Sequence, residues 1–406
     1  MNNIEQLSPE SCTGCGACMQ ICPKQCIDMA RSEEGFLYPK TDKNKCIECR
    51  KCLKVCPAYD RLATRIPIAC FGAYNKNDDL RLKSSSGGIF IEIASYVIER
   101  GGVVFGVVFN DEWLPIHVSA KTLDEVYPMM GSKYVQSDTL CTYKECRDYL
   151  NSGKLVLYSG TPCQIAGLNK FLGKYYENLI TIEIVCHGVP SPLYWQEYLS
   201  YIKSQNACKI PQPNNGLVKK QDLIGNIKFR DKSAGWKKYS LVISTSKVFD
   251  TEERILYKKI SDQDIFMKGF LNDLYLRQSC YKCPAKEFRS QSDFTLGDFW
   301  GVFKGMLQDY DDDKGLSLVT ANTEKAQKIC EVLSSAIIFL PISYSDAIKS
   351  NENIVFSTEK NIIKILKFRT IYKDNNFVSA VNKTLYISPL KAILNKFKWH
   401  FAKFLN

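Results

Sequence analysis

Two identical cysteine spacings near the start of the chain constrain it more than any other feature. Each reads C-x2-C-x2-C-x3-C-P; the first run is Cys12, Cys15, Cys18, Cys22 and Pro23, and the second is Cys46, Cys49, Cys52, Cys56 and Pro57. Bacterial two-cluster ferredoxins use this run, and the fourth cysteine of each run ligates the other cluster. We therefore expect two 4Fe–4S sites with crossed ligands: cluster 1 on Cys12, Cys15, Cys18 and Cys56, and cluster 2 on Cys46, Cys49, Cys52 and Cys22.

The spacing has a physical reason. Three cysteines at two-residue gaps let one tight loop wrap three corners of a cube, and Gly14 and Gly16 permit the turns. A zinc site needs four ligands, usually as two C-x2-C pairs, and leaves the duplicated triplet and the prolines unexplained. Cys26 belongs to neither set, and we interpret it as a small buried apolar residue.

The remaining composition favours an intracellular redox protein. Eighteen cysteines in 406 residues, with a polar, acidic N-terminus and no export signal, are typical of metal ligands or reactive thiols rather than disulfides. No run approaches the roughly 18 apolar residues of a membrane span. We predict a cytoplasmic location.

The net charge of +11 is concentrated at the C-terminus, where residues 360–406 carry ten Lys or Arg and one acid. Residues 389–406 have apolar side chains at helical spacing among lysines. Such a helix either makes peripheral contact with an anionic membrane surface or packs on the domain, and the second arrangement is commoner. Nucleic acid is not expected as a partner, because no binding motif accompanies the charge.

After residue 67 the pattern changes to an α/β one. A strand at 69–74, a polar loop at 83–88, a helix at 89–100 and a strand at 103–109 form a βαβ unit. The loop at the helix start is either an anion site built from free backbone N–H groups or an ordinary cap and turn.

Two further strands, at 154–158 and 179–185, are each followed by a cysteine-bearing loop and a helix. Cys163 and Cys186 thus follow the carboxyl ends of strands, where open α/β sheets bind ligands. With Cys280 and Cys283 they would complete a third cubane set. The alternatives are a redox-active C-x2-C pair, a zinc site or buried structural thiols.

We predict an α/β core, a mixed sheet with helices on both faces, preceded by a small α+β bacterial-ferredoxin domain. The expected divisions are a two-cluster ferredoxin domain at 1–60, two parts of the core at 68–150 and 151–345, and a basic helical tail at 346–406. Two clusters in one small module conduct electrons rather than catalyse a reaction, so an electron-donor or electron-acceptor protein is an expected partner.

Two further sets of residues are candidates for substrate chemistry. His187 lies in the loop that holds Cys186, and it either protonates a reduced cofactor or substrate or is simply hydrogen-bonded in a crowded loop. A hairpin pairs residues 227–229 with 239–243, and Arg230, Lys237 and Lys238 flank its turn. These cations either neutralise an anionic substrate or, as we favour for the two lysines, form a solvated rim.

Six segments in order resemble the family of coenzyme F420 hydrogenase/dehydrogenase beta subunits that carry an N-terminal ferredoxin domain. The resemblance covers about residues 68–320 and rests on Ser85-Ser86-Gly87-Gly88, Phe105-Gly106-Val107-Val108-Phe109, Lys133-Tyr134-Val135-Gln136-Ser137, Gly160-Thr161-Pro162-Cys163-Gln164-Ile165-Ala166-Gly167-Leu168, Cys186-His187-Gly188-Val189-Pro190-Ser191 and Gly297-Asp298-Phe299-Trp300-Gly301.

The resemblance implies an oxidoreductase with FAD that passes electrons between iron–sulfur clusters and a small two-electron acceptor, F420 or another molecule. By analogy, FAD contacts are expected at Ser84, Ser85, Ser86, Gly87 and Gly88, and at Ser132 and Lys133. The rival hypothesis is a non-catalytic electron-relay subunit of a larger redox complex. The substrate does not follow from the fold, because one fold hosts several chemistries.

Overall fold

The computed structural model describes residues 3–206, 224–245 and 254–386. The basic amphipathic helix expected at residues 389–406 lies outside these ranges, so its contact with a membrane stays a prediction. Within them, no helix has both the length and the apolarity needed to cross a bilayer.

The strands of the described residues are β1 Ile27–Arg31, β2 Leu37–Thr41, β3 Ala69–Asn75, β4 Val103–Phe109, β5 Pro115–Ala120, β6 Val156–Gly160, β7 Leu179–Ile184, β8 Ile224–Asp231, β9 Ser240–Thr245, β10 Ile255–Ile260, β11 Phe294–Asp298, β12 Ser317–Ala321 and β13 Ile337–Ile342. The α-helices are α1 Ala17–Ile21, α2 Lys51–Lys54, α3 Asp78–Lys83, α4 Ile89–Ile98, α5 Leu123–Val126, α6 Thr142–Asn151, α7 Pro162–Leu172, α8 Pro192–Gln205, α9 Ile265–Leu271, α10 Glu324–Leu333, α11 Tyr344–Ser350, α12 Ile362–Lys373 and α13 Phe377–Leu385. Short 3-10 helices occur at Ile4–Gln6, Tyr127–Met129, Gln278–Lys282, Trp300–Lys304, Gln308–Tyr310 and Glu352–Ile354.

The N-terminal module is small and α+β. Strands β1 and β2 pair antiparallel, and the short helices α1 and α2 each follow a cysteine loop. Gly14 and Gly16 have φ of 70° and 76°, as the tight loop requires. The predicted small ferredoxin-like module is therefore present.

An eight-stranded mixed sheet forms the body, in the order β13-β3-β12-β11-β7-β6-β4-β5. Strands β4, β6, β7 and β11 run parallel, while β5, β12 and β13 pair antiparallel with their neighbours. The carboxyl ends of the four parallel strands consequently lie at one edge, the position where α/β sheets bind ligands.

Alternate residues of the sheet enter two different cores. Val103 and Phe105 of β4 pack with α6 and α7, whereas Val104 packs with α4 and α10. Because successive side chains of a strand point to opposite faces, helices cover both faces. The predicted α/β class with helices on both faces is confirmed.

Several local predictions need adjustment. The helix α3 precedes the serine loop, and β3 and β4 are parallel but separated by four strands, so they do not form an adjacent βαβ pair. The loop predicted to hold Cys163 is shorter, because α7 begins at Pro162 with Thr161 as its cap. Proline is favoured in a helix's first turn, since its missing N–H has no partner there.

A second core lies around the predicted hairpin. Strands β8 and β9 pair as expected, with Ile227 opposite Ile243, and β10 extends them to a three-stranded sheet. The helices α8, α9, α12 and α13 pack on it through aromatic side chains, among them Trp195, Phe266 and Phe377. The described part of the predicted tail therefore includes packed helices.

The ferredoxin module contacts the body through polar and apolar groups. Gln20 accepts a hydrogen bond from Tyr143 N at 2.8 Å, and Thr139 Oγ1 donates to Cys15 O at 3.1 Å. A Cβ at Gly167 of α7 would lie only 2.9 Å from Cys15 Sγ. The body thus reaches van der Waals contact with the first cysteine loop.

Candidate functional site

The structure brings together the four cysteines expected for cluster 1. Burial, reinforced by the nearby Cys56 and Cys12 thiols, raises the pKa of Cys15 to about 12, and the pKa of Cys18 is raised by burial and by neighbouring thiols. Thiolates at this position need cations to be stable, and cluster irons supply them. The residues present fit a 4Fe–4S cluster.

The second set surrounds a small open pocket lined by Cys22, Cys46, Cys49 and Cys52. Cys26 is buried, as predicted, and its Sγ lies 3.4 Å from Cys22 Sγ. Among the described residues, no three His, Cys, Asp or Glu side chains are gathered as a single metal ion requires. A cubane takes one cysteine at each iron, so its ligands need not converge on one point.

A cavity of about 430 Å³ lies at the carboxyl edge of the sheet. It has the volume typical of small-molecule and cofactor sites. Its lining includes the ends of β6, β7 and β11, at Gly160, Ile184 and Asp298. The serine loop, Ser132, Lys133, His187 and the third cysteine set also face it, so one cavity unites the candidates that sequence reasoning took from separate segments.

The third cysteine set converges at one side of this cavity. Burial raises the pKa of Cys163 well above its ordinary value, and the nearby thiols of Cys283, Cys186 and Cys280 raise it further. The pKa of Cys280 rises to about 12 and that of Cys186 to about 11, both mainly through burial. Lys286 donates to Cys186 O at 2.7 Å and supplies a positive charge. Four clustered thiols beside a cation fit a third cluster.

The serine loop forms a polar corner of the cavity. Gly88 caps α4 at φ 82° and offers no side-chain cap, so the first N–H groups of the helix and its positive dipole end are left for a ligand. Ser86 Oγ donates to Leu316 O at 2.9 Å, and Gly87 N donates to Ser317 Oγ at 2.8 Å. These bonds hold the loop against β12, and the arrangement fits a phosphate group.

Ser132 and Lys133 reinforce the same corner. Ser132 N and Oγ bond to Ser85 Oγ at 2.7 and 2.9 Å, while Ser84 Oγ donates to Leu80 O of the preceding helix. The Lys133 ammonium donates to backbone carbonyls of residues 128–131. Burial lowers the pKa of Lys133 to about 7. Lys133 therefore organises the turn that carries Ser132.

His187 faces the cavity and has a carboxylate partner. Its Nε2 lies 2.6 Å from Asp273 Oδ1, and its ring packs edge-on against Phe270, with centroids 5.4 Å apart. The carbonyl of His187 accepts a bond from Thr358 Oγ1. An oriented imidazole beside a carboxylate is suited to moving a proton.

Arg230 is buried beside the cavity rather than free to meet an anion. It makes a bidentate pair with Asp298, at 2.7 and 3.1 Å, and its guanidinium lies 4.0 Å from the Tyr239 ring centroid. Its Nε has no partner among the described residues. Lys237 pairs with Asp311, and Lys238 is exposed on the hairpin, consistent with a rim position.

Arg277 is a functional candidate that sequence reasoning missed. It is 0% exposed and lies three residues before Cys280. Its Nε donates to Cys12 O at 2.8 Å, its Nη1 donates to Gln136 Oε1 at 2.9 Å, and its Nη2 lies 3.6 Å from Cys12 Sγ. Arg277 therefore contacts the first cysteine loop from a position three residues before the third set begins. No local sequence pattern indicates a contact between residues 265 positions apart.

A ferredoxin module joined to an α/β body with clustered cysteines defines an iron–sulfur electron-transfer protein. Models of known families match three stretches: a 4Fe-4S dicluster domain at residues 11–59, the N-term of the coenzyme F420 hydrogenase/dehydrogenase beta subunit at 70–142, and the C terminus of that subunit at 153–340. The chain belongs to the family of coenzyme F420 hydrogenase/dehydrogenase beta subunits, as the resemblance predicts.

Two curated relatives are similar over part of their length. The chain is 24% identical over 172 residues to a subunit of the F(420)H(2) dehydrogenase of Methanosarcina mazei, covering 39% of this chain and 48% of that protein. It is 27% identical over 198 residues to the coenzyme F420-dependent sulfite reductase of Methanocaldococcus jannaschii, covering 46% of this chain and 29% of that protein. The matches thus span less than half of either relative.

Among solved structures, the chain is similar to one from the F420-reducing NiFe hydrogenase complex of Methanosarcina barkeri. The TM-score is 0.44 at 17% identity, and the match covers 72% of this chain and 90% of that chain.

Proposed function

We propose that this chain is an iron–sulfur flavoprotein oxidoreductase that passes electrons between its clusters and FAD and exchanges hydride with F420 or another small acceptor. The single observation that carries this proposal is the shared cavity. It joins the uncapped start of α4 to the third cysteine set. FAD, when bound, exchanges single electrons on one side for a hydride on the other.

The chain's own residues have distinct parts in this proposal. The α4 N-terminus and the serine loop hold the anionic phosphates, and the Lys133-organised turn keeps Ser132 against Ser85. Cys163, Cys186, Cys280 and Cys283 hold the third cluster at the other side of the cavity.

His187 handles the proton in this scheme. Its Nε2 contact with Asp273 orients the ring, so that its other nitrogen is available to a substrate or cofactor. We expect His187→Gln to lower turnover while iron and flavin contents stay unchanged. Asp273→Asn should give part of the same loss, because the ring keeps its position but loses its charged partner.

The first experiment is composition. Protein purified under strict anoxia should contain about 12 irons per chain if three clusters are present and about 8 if the third is absent, at four irons per cluster. Flavin released by denaturation is identified by mass, and F420 is then screened against other acceptors. Protein with no extractable flavin and no increase in stability on adding FAD would contradict the proposal.

A variant tests the location of the flavin. Ser85→Asp places a carboxylate in the serine loop that precedes α4 and lines the cavity. It should repel phosphate, so flavin content should fall while iron content stays the same. The matched control is Ser200→Asp, on an exposed turn of α8, which should keep both. Equal flavin content in the two variants would place the phosphates elsewhere.

A second candidate function is the non-catalytic electron-relay subunit. It is favoured by one observation, the name of a relative as a subunit of a dehydrogenase. A flavin-free protein whose reduced clusters are oxidised only when a partner protein is added would support it.

A further inference from the structure

The two cysteine sets of the ferredoxin module differ in exposure. The cluster 1 cysteines are 7–8% exposed, and the first loop is covered by α7 and Arg277. In the second set Cys52 is equally buried, but Cys22 and Cys46 are partly exposed and Cys49 is exposed. The nearby Ile47 is 57% exposed. Because electron transfer slows steeply with distance, cluster 2 is the position that an outside protein reaches best.

The surface around cluster 2 is strongly basic. Lys24, Arg50 and Lys51 line the same pocket as the cluster 2 cysteines. Further exposed cations lie on the same segment of the chain, at Lys43, Lys45 and Lys54, against two acids, Asp42 and Glu48. Of these cations, Lys45 alone has an acidic partner among the described residues, Asp42 at 3.3 Å.

This charge is a property of the face and not of the whole module. Residues 1–60 contain eight basic and eight acidic side chains, so the module is balanced overall. Two of its acids are used elsewhere: Asp60 pairs with Lys170 and Glu34 with Arg369 of the body. Glu5 is exposed and accepts a bond from Thr41 N, so the face carries six basic groups against the three acids Glu5, Asp42 and Glu48.

We propose that this basic face docks an acidic one-electron carrier protein, so that electrons pass between the chain and its partner through cluster 2. Complementary charge steers the two proteins together and sets their orientation. Ile47 supplies an exposed apolar group within the face. This inference rests on the proposed electron-transfer function and adds the partner's class and its docking site.

The test uses the full chain with its clusters and a reduced acidic plant-type ferredoxin as donor, followed by stopped-flow absorbance. The variant Lys43→Glu/Lys54→Glu reverses two exposed charges of the face that do not line the cluster 2 pocket. Its control, Lys174→Glu/Lys328→Glu, makes the same charge change at exposed positions of the body. Reduced methyl viologen, a small donor, measures cluster reduction without docking.

At low ionic strength the face variant should be reduced by ferredoxin about tenfold more slowly than wild type, and salt should slow wild type much more than the variant. Viologen rates and iron content should not change, and the control should resemble wild type. Equal ferredoxin rates in the two double variants would overturn the docking proposal. The proposal would also be overturned if the face variant lost binding of single-stranded RNA while its rate of reduction by ferredoxin equalled that of wild type. A wild-type protein lacking clusters would instead refute the underlying function.

Discussion

The buried Arg277 gives the sharpest prediction about the clusters. Its Nη2 lies 3.6 Å from Cys12 Sγ, and no carboxylate of the described residues pairs with it at hydrogen-bonding distance. A positive charge beside a cluster favours the reduced, more negative state. Replacing it by an uncharged side chain, in Arg277→Gln, should therefore make the potential of cluster 1 more negative.

The magnitude follows from Coulomb's law. The added electron is spread over the cluster, so its mean distance from the guanidinium is on the order of 7 Å, about twice the contact distance. At an effective dielectric constant near 20, a unit charge at that distance contributes about 2.4 kcal/mol. Since about 1.4 kcal/mol corresponds to 59 mV for one electron, the expected shift is about 100 mV.

The assay is a redox titration under anoxia, followed by EPR of the reduced clusters. The step of cluster 1 should move by about 100 mV in Arg277→Gln, the step of the third cluster should move less, and the step of cluster 2 should stay in place. Arg277→Lys keeps the charge and should stay near the wild-type value, and Arg254→Gln removes an exposed arginine as control. Unchanged potentials in an iron-replete Arg277→Gln protein would refute the electrostatic reasoning.

Three other outcomes are expected. Gly167→Ala forces a Cβ to within 2.9 Å of Cys15 Sγ, so iron content should fall by about one cluster per chain. Gly167→Val should lose at least as much iron, and full iron content in both variants would contradict the close approach. Asp298→Asn leaves the buried Arg230 without its counter-ion and should lower the free energy of unfolding by about 3–5 kcal/mol, measured with denaturant. The double variant Arg230→Met/Asp298→Asn removes the unpaired charge and should lose less. An equal loss in the single and double variants would show that the unpaired charge is not the cause. Burial lowers the pKa of His117 to about 4, so between pH 6.5 and 4 the unfolded chain binds a proton that the folded chain does not. The free energy of unfolding should therefore fall by about 2 kcal/mol between pH 7 and pH 5. The apparent Tm of His117→Gln should depend less on pH over that interval.

Sequence reasoning succeeded where the signal is local. The cysteine spacing predicts a two-cluster module, and a family model of a 4Fe-4S dicluster domain matches the same residues; the assignment of eight individual ligands stays a prediction. The positions of Cys163 and Cys186 just after strands could also be predicted, because a short apolar run followed by glycine or proline marks the end of a strand. Parallel strands then bring such ends to one edge, which is why the structure places both cysteines in one cavity.

It failed where the partner lies far along the chain. Asp273 is 86 residues from His187, and Arg277 is 265 residues from Cys12. A charged residue is expected at the surface by default, and only tertiary packing buries it beside carbonyls and a thiol. For the same reason the sheet order could not be derived, since the insertion of β12 between β3 and β11 depends on long-range pairing.

The contacts around cluster 1 bear on how electrons reach the body. Thr139 and Gln136 bond to backbone carbonyls of the first cysteine loop, and a Cβ at Gly14 would lie 2.6 Å from Gln136 Nε2. An interface with this many close polar contacts and no room for a methyl group holds the module in one position rather than tethering it loosely. Under the proposed function, electrons would therefore pass between the first cysteine loop and the cavity without movement of the module, and the guanidinium of Arg277 lies where the module meets the body.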